Sequence, residues 1–181
     1  MKKLTRILLF SGVVLLSLQS CTAQKKTINH EIETTSDGEM LLGVQSKSQL
    51  LKAPYSEWYN PEHDSYIVDQ KTITELKKVN LSSYNIVMAL GTWCGDSHRE
   101  VPRFMKILET LNFPEDKLTI IAVDRNKESP DGAEKTYSFG LVPTIIVQRD
   151  DKEIGRIVEY PTSGYLERDL LAILKKDMLN R

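Results

Sequence analysis

The chain has 181 residues, 40% of them apolar and 27% charged, which suits one soluble domain with a core of its own. Its 24 basic and 25 acidic residues leave no cationic excess, so the composition does not favour nucleic acid or an anionic membrane surface as a partner. Two cysteines are too few for a disulfide framework.

The start is atypical. Lys2, Lys3 and Arg6 precede an apolar run from Ile7 to Leu18, and small or polar residues then lead to Cys21. This is a secretory signal pattern over residues 1–20. The run is 12 residues long, short of the roughly 20 a bilayer-spanning helix needs. The stretch "LQSC" at 18–21 resembles a bacterial lipobox, which implies cleavage before Cys21 and lipid on its sulfur; Gln19 departs from the favoured pattern. A plain signal peptide is the alternative. Cleavage would leave 21 basic and 25 acidic residues, a net −4. The expectation is an exported protein held to a bacterial membrane by lipid on Cys21, facing the periplasm.

Residues 21–38 read as lipid anchor and polar tether, with no periodicity. From 39 to 80 the signals are short and helical, with Ser46 or Ser48 as caps and Ile73, Leu76 and Val79 at helical spacing. The stronger pattern spans 84–178. "YNIVMAL" and "KLTIIAV" are buried strands. Between them Val101, Phe104, Met105, Leu108 and Leu111 form one helical stripe. "DGAEKTYSFG" is a short helix, "TIIVQ" and "EIGRIVEY" form a hairpin across "RDDK", and a last helix fills 163–179 with Thr162 or Ser163 as cap. The order β-α-β-α-β-β-α predicts an α/β domain over 39–181: a central mixed sheet of about four strands flanked by helices, the first three parallel, with an N-terminal helical extension at 39–80.

With Cys21 lipidated, Cys94 is the one free thiol. No internal disulfide is then available, and His30, His63 and His98 lack zinc-ligand spacing, so neither metal nor cofactor is expected. Cys94 falls where a strand ends and a long helix begins. Unpaired amides and a partial positive charge at a helix start favour a thiolate over a thiol. Gly95 leaves the sulfur open to approach. Asp96 and His98 are candidate modulators, one by negative charge and one by positive charge when protonated. Trp93 is expected to flank the site, and Asp124 to be a turn residue.

These residues and their order resemble the thioredoxin family over about 84–178. "WCGDS" stands where the family has Trp-Cys-Gly-Pro-Cys, Pro102 where its long helix carries a kinking proline, and "LVPT" at 141–144 where a loop with a cis-proline precedes a strand. The resemblance implies a cis bond between Val142 and Pro143, both lying against the reactive sulfur and binding substrate. Two departures stand out. Ser97 replaces the resolving cysteine and cannot release a mixed disulfide, although its hydroxyl suits a hydrogen bond to the Cys94 sulfur. Met88 replaces the family's buried acid, which assists that missing thiol. "EYP" at 159–161 also departs from the family's glycine-bearing loop, and Tyr160 is expected to wall the sulfur.

The resulting expectation is a monothiol thiol–disulfide oxidoreductase in which Cys94 forms a mixed disulfide with a cysteine-containing client or low-molecular-weight thiol. An external thiol reductant then resolves it. Reduction, isomerisation and rescue of sulfenic acids all fit. The rival reading is a non-catalytic module gripping extended peptide at the proline loop. A cysteine hydrolase is disfavoured, because its base would have to be His98 on the nucleophile's own helix, with no orienting partner.

Overall fold

The computed structural model describes residues 28–180. The signal segment, Cys21 and the tether up to residue 27 lie outside the described residues. Six strands are present among the described residues: β1 (His30–Thr34), β2 (Gly38–Gln45), β3 (Asn85–Leu90), β4 (Leu118–Ala122), β5 (Thr144–Arg149) and β6 (Lys152–Val158). They form one sheet in the order β1-β2-β4-β3-β5-β6. Six α-helices accompany them among the described residues: α1 (Lys47–Leu50), α2 (Ser56–Ser65), α3 (Gln70–Leu76), α4 (Gly95–Thr110), α5 (Ala133–Thr136) and α6 (Leu166–Leu179).

The central strands are apolar on both faces because both faces are covered. Ile86, Met88 and Leu90 of β3 join Ile120 and Ala122 of β4 in the larger core, with Phe104 of α4 and Leu170 of α6. The alternate residues Val87, Ala89 and Ile121 point the other way, into a smaller core with Ala133, Phe139 and Val142. Met88 is fully buried in the larger core, an apolar setting that suits methionine.

Three expectations are corrected. The sheet has six strands, not about four, because β1 and β2 pair as an antiparallel hairpin and β2 runs antiparallel to β4. β1 therefore lies inside the stretch read as a tether, and β2 opens the extension read as helical. β1 is hard to see because Ile32 is its one apolar residue; its pairing is by backbone, at a sheet edge.

Second, β3 and β4 are parallel, but β5 is antiparallel to β3. The 123–143 connection holds only the one-turn α5, whereas a parallel crossover usually needs a full helix across the sheet. The chain re-enters the sheet at the end where β3 stops, with Thr144 opposite Ala89.

Third, neither Thr162 nor Ser163 caps α6. Tyr165 is the N-cap, and the carboxylate of Asp169 accepts from the backbone N–H groups of Thr162 and Ser163 at 2.7 and 3.1 Å.

The extension is part of the fold. Leu41 of β2, Tyr59 of α2, and Ile73 and Leu76 of α3 are buried in the same core as Phe104 and Met88. Trp58 of α2 packs its ring on His98 of α4.

Candidate functional site

The turn from β3 to α4 and the entry to β5 share one end of the sheet, because Ala89 and Thr144 are paired. Cys94 is the N-cap residue of the 16-residue α4, with extended backbone at φ −98° and ψ 122°. Its carbonyl accepts from the N–H of His98 at 3.0 Å, and its own N–H donates to the Gly91 carbonyl at 2.9 Å. The thiol is free and half-buried. It donates to the Val142 carbonyl at 3.3 Å, and the Val142–Pro143 bond is cis. The cysteine and the proline loop, 48 residues apart, thus meet. No first-turn amide donates to the sulfur. Its polar partner is an acceptor, which departs from the expectation of amides holding its charge.

Ser97 is also placed differently from the expectation. It is fully buried, and its hydroxyl accepts from the backbone N–H of Gly91 at 3.2 Å. It satisfies a buried amide in the β3–α4 turn, and no hydrogen bond joins it to Cys94. His98 turns away as well. Its Nε2 lies 2.7 Å from the Thr92 carbonyl, and its ring stacks on Trp58 with centroids 4.4 Å apart and planes 11° apart. Asp96 pairs with Arg99 at 2.7 Å, about one helical turn along the surface. Gly95 is exposed, as access to the sulfur requires.

Trp93 flanks the site. Its Nε1 donates to the Val123 carbonyl at 3.0 Å. The indole folds back over Gly91, where a Cβ would stand 2.7 Å from the ring, so only glycine fits beneath it. Two cations also sit over the ring: the Arg125 guanidinium at 5.2 Å and the Lys127 ammonium at 5.7 Å from its centre. Both follow β4, and nothing in the local sequence around Trp93 signals them. Trp58 escapes sequence reasoning for the same reason, being 40 residues from His98. Asp124 is a turn residue: its carboxylate accepts from the Glu128 N–H at 2.9 Å. Tyr160 is exposed, and its N–H bonds the Val158 carbonyl.

The Arg125 guanidinium also bonds both carboxylate oxygens of Asp37 on the β1–β2 turn. That contact holds the Asp37 carboxyl at about 2, well below its ordinary 3.8. Among the described residues, no group of three His, Cys, Asp or Glu side chains is placed to hold a metal ion.

No family model matches the chain, and no curated protein matches it. Solved structures do. A protein of unknown function from Pseudomonas aeruginosa aligns at 17% identity over 70% of this chain and 87% of its own, with a TM-score of 0.55. An HIV epitope-scaffold aligns at 20% identity over 68% and 86%, with a TM-score of 0.52. Thioredoxin 2 from Pseudomonas aeruginosa overlaps more loosely, at 19% identity over 61% and 95%, with a TM-score of 0.38. At these identities the first two share the fold and nothing finer.

The fold is thioredoxin-like. That statement rests on the chain's own strand order and on Cys94 at the β3–α4 junction, with its sulfur against the Val142 carbonyl at the entry to β5. In chemical terms, this thioredoxin-like domain presents one half-buried thiol at a helix start, an open approach at Gly95, and a loop carbonyl in contact with the sulfur.

Proposed function

We propose that this protein exchanges thiols and disulfides through the single sulfur of Cys94. The observation that carries the reading is the contact of that sulfur with the carbonyl before the cis Pro143, at the N-terminus of a long helix. The thiol gives up its proton to solvent, and the thiolate is the nucleophile. The thiolate attacks one sulfur of a client disulfide R–S–S–R′. A Cys94–S–S–R bond forms and R′–S⁻ leaves. An external thiol, deprotonated in its turn, then attacks the R sulfur; Cys94 departs as thiolate and the external thiol keeps R as a disulfide. Electrons balance at each exchange. The buried Ser97 leaves resolution to that outside thiol. In this proposal the protein is exported, anchored by lipid on Cys21, and meets its clients at the membrane surface in the periplasm.

The test is capture of partners by the exported protein with and without Cys94→Ser. Reducible adducts that vanish in the variant support the exchange reading. A thiol that forms no adduct under oxidising conditions overturns it. A second reading, non-covalent gripping of peptide, is favoured by one observation. Leu141 and Tyr160 are exposed on two segments tied by the bond from the Glu159 N–H to the Pro143 carbonyl. On that reading the Cys94→Ser variant retains the same partners as the parent.

A further inference from the structure

We infer that the Cys94 site selects client peptides that carry a carboxylate on one flank of the reactive cysteine, and that Lys127 reads this charge. The inference rests on the exchange function proposed above and names the class of client it serves.

The sheet sets the geometry. β3 and β4 are parallel and end together, with Leu90 paired to Ala122, and β5 enters at the same end with Thr144 opposite Ala89. In the order β4-β3-β5, the turn carrying Trp93 and Cys94 therefore lies between the loop after β4 and the loop before β5. β6 ends beside the second of these, with Val158 paired to Thr144.

The loop after β4 closes on itself. The Asp124 N–H donates to the Glu128 carbonyl at 3.0 Å, and the Lys127 N–H donates to the Asp124 carbonyl at 2.9 Å. The Asp124 carboxylate faces into the turn and accepts from the Glu128 N–H. Lys127 has φ 65°, a left-handed conformation uncommon for a residue with a side chain. Its ammonium lies over the ring of Trp93, the neighbour of Cys94 in sequence.

The charges around the sulfur sort by their partners. Arg125 is answered by Asp37, and Asp96 by Arg99. Glu128 is exposed to solvent. On the other side of Cys94, the Glu159 N–H donates to the Pro143 carbonyl at 2.7 Å. Neither Lys127 nor Glu159 forms an ion pair among the described residues. The approach to the sulfur is thus polarised, with a cation on the Trp93 side and a carboxylate on the proline side. A client carboxylate on the Trp93 side gains an attraction there, whereas a client cation meets repulsion.

Three tripeptides test this: Glu-Cys-Gln, Gln-Cys-Glu and the neutral Gln-Cys-Gln, each with blocked ends and its sulfur joined to 2-thiopyridine. Cys94 thiolate attacks the peptide sulfur, the Cys94–peptide disulfide forms, and pyridine-2-thione leaves and is followed by its absorbance. The full chain is used, with Cys94→Ser as background. One acidic order should react about two- to five-fold faster than the neutral peptide at low salt, the range one exposed ion pair supplies. Added salt should shrink that advantage. Lys127→Gln should remove it, Lys127→Arg should keep it, and Glu159→Gln should leave it at least as large. The inference is overturned, with the exchange reading left standing, if the neutral peptide matches both acidic ones or if the advantage survives Lys127→Gln. Release no faster than the Cys94→Ser background with any peptide overturns the exchange reading and this inference with it.

Discussion

Gly91 and Ser97 bracket the reactive turn, and each is explained by one contact. Gly91 has no side chain because the indole of Trp93 occupies that space. Ser97 is buried because its hydroxyl serves the Gly91 amide. The two are coupled, so Ser97→Ala should strand a buried N–H and cost about 1–3 kcal/mol in urea unfolding. The rate of Cys94 alkylation should stay as in the parent. A marked slowing of alkylation would instead return Ser97 to the reacting group. At this scale the sequence placed the sulfur at the helix start but predicted the wrong partner for the serine. A hydroxyl three residues after a cysteine suggests a bond to it, and nothing local reveals that a strand-end amide is nearer.

At the level of elements, α6 lies on β6 at Gly155. A Cβ there would stand 2.8 Å from Cγ2 of Ile173. Gly155→Ala should therefore force α6 or Ile173 to shift and cost about 1–3 kcal/mol, as overpacking does. Combining it with Ile173→Ala should cost less than the two single changes together, measured as a double-mutant cycle. Additive costs would mean that the helix does not touch the strand there. β2 offers a second test. Leu41 is fully buried in the main core although it lies well before residue 84. Leu41→Ala should cost about 2–5 kcal/mol in the same assay, the range for core truncations. A negligible loss would make the hairpin an appendage.

For the whole molecule, the bond between Asp37 and Arg125 ties the β1–β2 hairpin to the loop beside Trp93. The folded protein holds Asp37 at about 2, against an ordinary 3.8. A carboxyl depressed on folding stabilises the fold above its ordinary value and loses that contribution as pH falls through the folded value. The pair therefore contributes at neutral pH and fades between 3.8 and about 2. Asp37→Asn should lower Tm at neutral pH and converge on the parent below that window. Added salt should shrink the difference, because the Arg125 side of the pair is exposed. Two curves that run parallel across the window would show that the pair contributes nothing net.

Periodicity and punctuation were enough to locate β3, β4, α4, the β5–β6 hairpin and α6. Each carries a run of apolar residues whose spacing reports one buried side or two. The same reading put Cys94 at a helix start, a matter of chain order alone. Spacing carries no information on strand direction or on which distant segment lies alongside. The antiparallel entry of β5, the meeting of Cys94 with Val142, the cations over Trp93 and the stack of Trp58 on His98 were therefore decided only when the chain closed on itself. β1 shows the limit most plainly. An edge strand with a single apolar residue is held by backbone hydrogen bonds, and the backbone is the same for every sequence.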